Sequence, residues 1–276
     1  MHFVKSHGLG NDYIVVDPEA LPFELTSRAV MLICHRNYGV GSDGILARRV
    51  PSKPIADFAM TIHNPDGSEA EKSGNGIRIF AKYLFDHGMT SQERFTIETP
   101  GGVVGVQLQI ENGVVVSVAA DMGQATFDRE LTSIEVDGAT VGVVSLSLGN
   151  PHCVVFSTDV DAVPVSKIGP LIEVHRAFPS GTNVQFVEVV SRDFVLARIW
   201  ERGAGETLSS GSSSCAVAAA CLALGYTDRS LTVSMDGGDL EIEIDEDGEI
   251  RMDGPVAEIC SGDFSSDLVA RLAQLQ

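Results

Sequence analysis

A chain of 276 residues with an apolar fraction of 44% has enough material for two ordinary domains with sizeable cores. Its 19 Lys plus Arg face 38 Asp plus Glu, and the net charge of -19 argues against nucleic acid, whose binding rests on neutralising phosphates, and against acidic membrane surfaces for the same reason. The longest apolar run, Cys215 to Gly225, falls short of the ~20 residues a spanning helix needs, and Met1-His2-Phe3-Val4-Lys5 lacks a signal-peptide layout, so the cytoplasm is the expected address.

Taken in chain order, the sequence repeats itself. Gly10-Asn11-Asp12-Tyr13-Ile14-Val15-Val16 returns as Gly149-Asn150-Pro151-His152-Cys153-Val154-Val155, and Gly41-Ser42-Asp43 as Gly181-Thr182-Asn183, at offsets of 139 and 140. Glu69 with Ser73-Gly74 returns as Glu206 with Ser210-Gly211 at 137, and Thr96 with Gly101-Gly102 as Thr232 with Gly237-Gly238 at 136. Four blocks in register, at an offset far longer than a solenoid repeat, read as duplication of a domain.

Within this frame, Ser73-Gly74-Asn75-Gly76 opens a helix whose apolar face is Ile77, Phe80, Ala81 and Leu84. Strands are expected from Arg94 to Glu98, Val103 to Ile110 and Val114 to Ala119, hinged at Asn112-Gly113, then from Thr140 to Leu148, Asn183 to Val190 and Phe194 to Trp200. Ser210-Gly211 opens a second helix, and its alanine-rich run from Cys215 to Leu224 suits complete burial. Strands from Leu231 to Met235 and Leu240 to Ile244, a hinge at Asp247-Gly248, and an amphipathic tail bearing Phe264, Leu268, Leu272 and Leu275 follow. The expected fold class is α/β (α+β): two pseudo-symmetric domains, each a curved, mainly antiparallel sheet or barrel around a central helix. Residues 1–120, completed by a helix in 262–276, form the first and 121–261 the second.

A glycine-rich helix start offers unpaired N–H groups and the positive end of the macrodipole, so a duplicated pair suits a small anion such as a carboxylate. The plainer account of either alone is a helix cap. No G-x-G-x-x-G between strand and helix and no G-x-x-x-x-G-K-[ST] is present, so no nucleotide cofactor is implied. Five cysteines (Cys34, Cys153, Cys215, Cys221 and Cys260) show no C-x-x-C spacing and read for the most part as buried free thiols, and the seven scattered histidines suggest no metal.

Several stretches resemble the diaminopimelate epimerase family. They are Lys5-Ser6-His7-Gly8-Leu9-Gly10-Asn11-Asp12-Tyr13, Asn64-Pro65-Asp66-Gly67-Ser68, Gly74-Asn75-Gly76-Ile77-Arg78, Gly149-Asn150-Pro151-His152, Gly181-Thr182-Asn183-Val184 and, most specifically, Glu201-Arg202-Gly203-Ala204-Gly205-Glu206-Thr207. The resemblance implies epimerisation or racemisation at an amino-acid α-carbon without pyridoxal phosphate or any other cofactor, LL- to meso-diaminopimelate first among substrates. It also implies a cleft site between two domains, and a cytoplasmic homodimer serving lysine and cell-wall precursor synthesis. Carried over residue by residue, distal substrate groups fall to Asn11, Asn64, Asn150, Asn183 and Arg202, and the proximal carboxylate to Gly74, Asn75, Gly211 and Ser212. An Asx turn rivals each asparagine role, and a salt bridge to Glu201 or Glu206 rivals that of Arg202.

The family uses two cysteines, one thiolate removing the α-proton and one thiol returning a proton to the other face. Here those positions hold Ser73 and Ser210, with His152 implied as assistant to the first and Glu201 to the second. A serine hydroxyl is a far weaker acid and acts as a base only if another group takes its proton. Three explanations compete: artificial replacement of both cysteines, a natural Ser/Ser branch, and a member that kept binding and lost chemistry. Lys72, where the family commonly has an apolar residue, favours natural divergence. A proton-shifting isomerase of the same fold, like the phenazine-biosynthesis isomerases, and an inactive amino-acid-binding homologue are the rival functions. Cys215, one helical turn past Ser210, reads as core rather than as a substitute nucleophile.

Overall fold

The computed structural model describes residues 2–128 and 130–275; Met1 and Gln276, the outer bounds of the expected domains, and Arg129 lie outside the described residues. The chain divides into two units, Met1–Ala120 with Pro255–Gln276, and Asp121–Gly254.

In the first unit β1 (His2–Gly8) pairs antiparallel with β2 (Asn11–Val16), and α1 (Ser27–Cys34) carries the chain across to β3 (Ile45–Arg49), which lies parallel to β2. β4 (Phe58–His63) turns back on β3 and takes the short β5 (Glu69–Ala70) on its edge. A second crossover, α2 (Gly74–Asp86), leads to β6 (Arg94–Thr99), parallel to β4. The antiparallel strands β7 (Gly102–Glu111) and β8 (Val114–Gln124) follow. Asn112 and Gly113 both take positive φ (52 and 80°), the primed turn that matches the twist of a two-residue hairpin. Parallel neighbours need a crossover, and both here are helical.

The second unit repeats this pairing scheme. β9 (Thr126–Asp128) precedes a separate hairpin of β10 (Ser133–Val136) and β11 (Ala139–Gly142), and then β12 (Val144–Ser147) runs antiparallel to both β9 and β13 (Pro151–Phe156). The single strand expected from Thr140 to Leu148 is therefore two, because Val143 N bonds to Thr132 O and the chain then changes partner. α3 (Val165–Glu173) crosses to β14 (Asn183–Val189), parallel to β13, and β15 (Phe194–Glu201) with the short β16 (Gly205–Thr207) matches β4 and β5. α4 (Gly211–Ala223) crosses to β17 (Ser230–Met235), parallel to β15, followed by antiparallel β18 (Gly238–Ile244) and β19 (Glu249–Pro255). The chain returns to the first unit at Pro255 rather than at 262: β20 (Ala257–Asp263) pairs with β1, and α5 (Ser266–Ala273) closes the chain. Main-chain pairing decides this, since the exposed side chains of β20 give no core signal.

Both central helices are buried as expected. Ile77, Phe80, Ala81 and Leu84 are fully buried in α2, and α4 is buried on every side from Ser213 to Cys221. Its small residues let strands pack close all around it. Lys82 and Asp86 fasten α2 to β8: Lys82 Nζ bonds to Asp86 Oδ2 (2.5 Å) and Val115 O (2.7 Å), and Val115 N donates to Asp86 Oδ1 (3.1 Å). A second core of the first unit, on α1, joins Ile14, Val30, Ile33 and Ile45 to Phe264 and Leu272 from the C-terminal segment. Cys34, Cys153, Cys215 and Cys221 are buried free thiols, while Cys260 is exposed, on a strand with no buried side chain on either face. Among the described residues no helix is long and apolar enough to cross a membrane.

Glu98 on β6 ties the loop after β3 to the sheet. Its carboxylate accepts from Ser52 Oγ (2.5 Å), Ser52 N (2.7 Å), Lys53 N (3.0 Å) and Arg49 Nη2 (3.0 Å). These donors, the Ser52 hydroxyl foremost, hold its pKa at about 2. The contribution is complete above the ordinary value of 4.5 and is lost as pH falls through about 2. Glu98→Gln should therefore lower the urea midpoint at neutral pH, with the gap to the parent narrowing in acid. A gap unchanged between about pH 7 and about pH 2.5 would refute the assignment.

Candidate functional site

In the first unit Ser73 is the N-cap of α2, with extended backbone (φ -140°, ψ 116°), and its Oγ accepts from Gly76 N at 3.1 Å. Gly76 permits this approach: a Cβ there would lie 3.0 Å from Leu46 Cδ2 and 3.3 Å from Ser73 Oγ. The Tyr13 hydroxyl, delivered by β2, stands 3.4 Å from the same Oγ. Asn75, on the first turn and 3% exposed, donates from Nδ2 to Asn11 Oδ1 (3.1 Å) and accepts from the buried Arg78 at Oδ1 (2.7 Å). Asn11 Nδ2 donates in turn to Asp43 Oδ2 (3.1 Å). Arg36 bridges Asp43 (2.7 Å) and Asp12 (2.8 Å), and Lys5 also pairs with Asp12 (2.8 Å). Burial raises the Asp43 pKa, while the bonds from Arg36 and Lys5 outweigh burial at Asp12 and lower its own. A line of bonds thus runs from Arg36 to the first turn of α2 and fixes both asparagine amides.

In the second unit Ser210 is the N-cap of α4 with nearly the same backbone (φ -147°, ψ 121°), but it makes no side-chain cap bond. Its hydroxyl instead donates to Glu201 Oε2 (3.0 Å), and Glu201 Oε1 accepts from Thr207 (2.9 Å). Asn183 orients the start of the adjoining loop, accepting from Arg202 N (3.0 Å) and donating to Pro151 O (3.0 Å). The Arg202 guanidinium donates to Ser180 O (3.1 Å). Its expected rival partner Glu206 is engaged by Arg198.

His152 is completely buried. The Gln185 side-chain amide donates to His152 Nδ1 (3.0 Å) and to Ser213 Oγ (3.0 Å) on the first turn of α4. His152 Nε2 then carries the proton and donates to Asn150 Oδ1 (3.0 Å). Burial first, and the Arg202 charge second, push its pKa down to about 3.

The structure brings together Asn11 with Asn75, Asn150 with His152, Asn183 with Arg202, and Ser210 with Glu201, each pair within one unit. Gly74 and Gly211 are the buried first residues of the two helices, with Ser212 next on α4. Asn64 sits in a tight turn, its Nδ2 on Ser68 Oγ (3.0 Å) and its N on Ser68 O (2.8 Å), while the Asx bond of this turn is made by Asp66, whose Oδ1 accepts from Ser68 N (2.9 Å). Sequence reasoning missed Tyr13, Asp43 and Gln185. Tyr13 had a signal, since the repeat aligns it with His152. Gln185 had none, lying mid-strand among apolar residues. Among the described residues no group of three or more His, Cys, Asp or Glu side chains is placed to hold a metal ion.

The diaminopimelate epimerase family model matches residues 3–127 and 144–259. Diaminopimelate epimerase 2 of Nostoc sp. is 44% identical, with 98% of each chain covered. The diaminopimelate epimerase of Pelotomaculum thermopropionicum is also 44% identical, covering 96% of this chain and 99% of that one. Among solved structures, a hydroxyproline epimerase of Agrobacterium vitis with bound trans-4-hydroxy-L-proline superposes with a TM-score of 0.75 at 16% identity, covering 95% of this chain and 90% of that one. A Bacillus anthracis phenazine biosynthesis protein gives 0.72 at 18%, covering 96% and 99%. At such identities these two structures speak for the fold alone.

The buried imidazole yields a test. The unfolded chain takes up a proton at His152 near the ordinary value of 6.5 while the folded protein does not until about 3, so stability falls with pH across that window. Long-range proton–nitrogen spectra should show His152 neutral, with its proton on Nε2, through about pH 5 to 8. Titration within that range, or a proton on Nδ1, would contradict the network.

Proposed function

Because the chain belongs to the diaminopimelate epimerase family, we propose that it is a cofactor-independent isomerase that inverts an α-carbon of diaminopimelate, LL to meso, a step of lysine biosynthesis. The observation that carries the catalytic assignment is the 3.0 Å bond from the Ser210 hydroxyl to the Glu201 carboxylate. It supplies what a serine lacks by itself, a neighbour that takes its proton as Oγ receives one from carbon. Inversion requires a proton remover for one face of the α-carbon and a donor for the other, and we assign those roles to Ser73 and Ser210. The first-turn N–H groups of each helix, beginning at Gly74-Asn75 and at Gly211-Ser212, suit the α-carboxylate and the negative charge that develops beside it.

We assign the distal amino and carboxylate groups to Asn11, Asn64, Asn150, Asn183 and Arg202. The bond of Asn183 to Arg202 N supports this, because it steadies the loop that carries a planar guanidinium able to take a carboxylate in two parallel bonds. Family resemblance is the ground for assigning a homodimer as the assembly and the cytoplasm as the place of action; light scattering in solution tests the first.

Arg202→Ala should weaken diaminopimelate binding by about 1.5 to 3 kcal/mol, the cost of losing a charge-assisted bond, and leave alanine binding nearly unchanged. Arg202→Lys keeps the charge but not the fork and should recover only part of the loss. Equal loss for both ligands would remove Arg202 from distal recognition.

Replacing Ser73 and Ser210 together by Cys should strongly raise exchange of the α-proton with solvent deuterium, because a helix start stabilises a thiolate near neutral pH. Either single change should do little for net inversion. Deuterium incorporation and isomer ratio are the measurements. Fast inversion by the parent, no faster in the double variant, would show that the serines do not limit the chemistry. Tight binding with no exchange in either would make the chain an amino-acid-binding homologue instead.

A further inference from the structure

We propose that Tyr13 is a positioning residue for Ser73, sharing a proton with its hydroxyl so that Ser73 can exchange protons with carbon. The inference rests on the epimerase reading above and adds to it a partner for the serine that lacks a carboxylate.

Two observations carry it. The first is the asymmetry between the helix starts. Ser210 has Glu201 at 3.0 Å, whereas Ser73 has a phenol, Tyr13 Oη at 3.4 Å, together with the Gly76 N–H at 3.1 Å. With Gly76 N–H occupying one lone pair of Ser73 Oγ, the hydroxyl proton and the remaining lone pair are left for Tyr13 and for substrate. A separation of 3.4 Å is long for such a bond, as is common before substrate tightens a site.

The second is how firmly the phenol is held. Tyr13 is 7% exposed and rides on β2, which is hydrogen-bonded to β1 on one side and β3 on the other. The ring lies against Gly44, where an added Cβ would fall 2.7 Å from Tyr13 Cε1 and 2.5 Å from His63 O. The backbone at position 44 is thus cleared of a side chain where the ring passes. The internal repeat also sets Tyr13 opposite His152, so each unit carries a titratable ring at this strand position.

The step balances as follows. With Tyr13 as phenolate, the α-carbon–hydrogen bond breaks and its proton goes to Ser73 Oγ. The Ser73 hydroxyl proton moves to the Tyr13 oxygen, and the electron pair stays on the α-carbon, delocalised into the adjoining carboxylate. Reversal of the same movements delivers a proton to carbon. A phenol ordinarily ionises near pH ~10, so the exchange rate climbs on the alkaline side. Other titratable or charged side chains on the surrounding elements are His2, Lys5 and His7 on β1, Asp12 beside Tyr13, Asp43 before β3, Arg48 and Arg49 on β3, His63 on β4, and Arg78, Lys82, Tyr83 and Asp86 on α2. Lys5, Asp12 and Asp43 are tied into ion pairs, and burial lowers the pKa of His63.

The experiment is a four-way comparison of α-proton exchange on diaminopimelate, from about pH 7 to 10, in the parent, Tyr13→Phe, Ser73→Cys, and both together. Tyr13→Phe removes one oxygen and keeps the ring, so folding is spared, and a thermal melt checks this. We expect a loss of about 100-fold with serine at 73, in the range of general acid–base effects, and of less than about 3-fold with cysteine, whose thiolate needs no phenol. Fluorinated tyrosine at position 13, a stronger acid, should move the alkaline limb to lower pH. Equal losses in the two backgrounds, no loss with serine, an alkaline limb unmoved by fluorination, or a parent without exchange would each overturn the inference. If Ser73→Cys or the double cysteine variant still exchanges diaminopimelate in those cases, the epimerase reading stands without Tyr13. If none of the proteins exchanges it, both fall.

Discussion

A helix enclosed by its own sheet must begin inside the protein, and the N–H groups of its first turn have no partner within the helix. Both central helices here are buried from their first residue, so the polar problem of a helix start is set inside an apolar shell. The surrounding design follows from that constraint. Glycine opens each helix, a serine stands at each N-cap, and polar side chains that would be costly in a core gather nearby in linked bonds: Asn75 to Asn11 and Asn11 to Asp43, Gln185 to both Ser213 and His152.

The two starts meet the constraint in different ways. Ser73 uses its oxygen as an acceptor and caps α2, while Ser210 uses its hydroxyl as a donor to Glu201 and makes no side-chain cap bond. One backbone geometry therefore supports two electrostatic states of the same residue type, the one beside a phenol and the other beside a carboxylate.

Duplication explains the architecture and also where it is incomplete. Each unit runs through one pairing order with helical crossovers at the same two points, yet the outer neighbour of β1 is β20, supplied from the far end of the chain, whereas the corresponding neighbour of β12 is β9, from the segment just before it. The first unit closes only when the last residues are present, a long-range closure that is slow to form because the loop entropy is lost before the contacts are gained. The second unit closes from contiguous sequence.

The sequence by itself determined what depends on local chemistry and period: the two helix starts, the burial of α2 and α4, the hairpin at Asn112-Gly113 and the doubling of the whole pattern, all of which follow from side-chain type within a few residues of the site. The family also lies in the sequence, because Glu201-Arg202-Gly203-Ala204-Gly205-Glu206-Thr207 is contiguous. Only the tertiary structure decided which polar group reaches which. Nothing local in Gln185 distinguishes a strand amide facing solvent from one that fixes the tautomer of a histidine 33 residues away, and the same holds for Tyr13 and Ser73, 60 residues apart. The break of the expected strand at Val143 and the return of the chain at Pro255 were illegible for a related reason. Strand pairing is a contract between distant main chains, and side-chain pattern reports which face is buried but not which neighbour takes the hydrogen bonds.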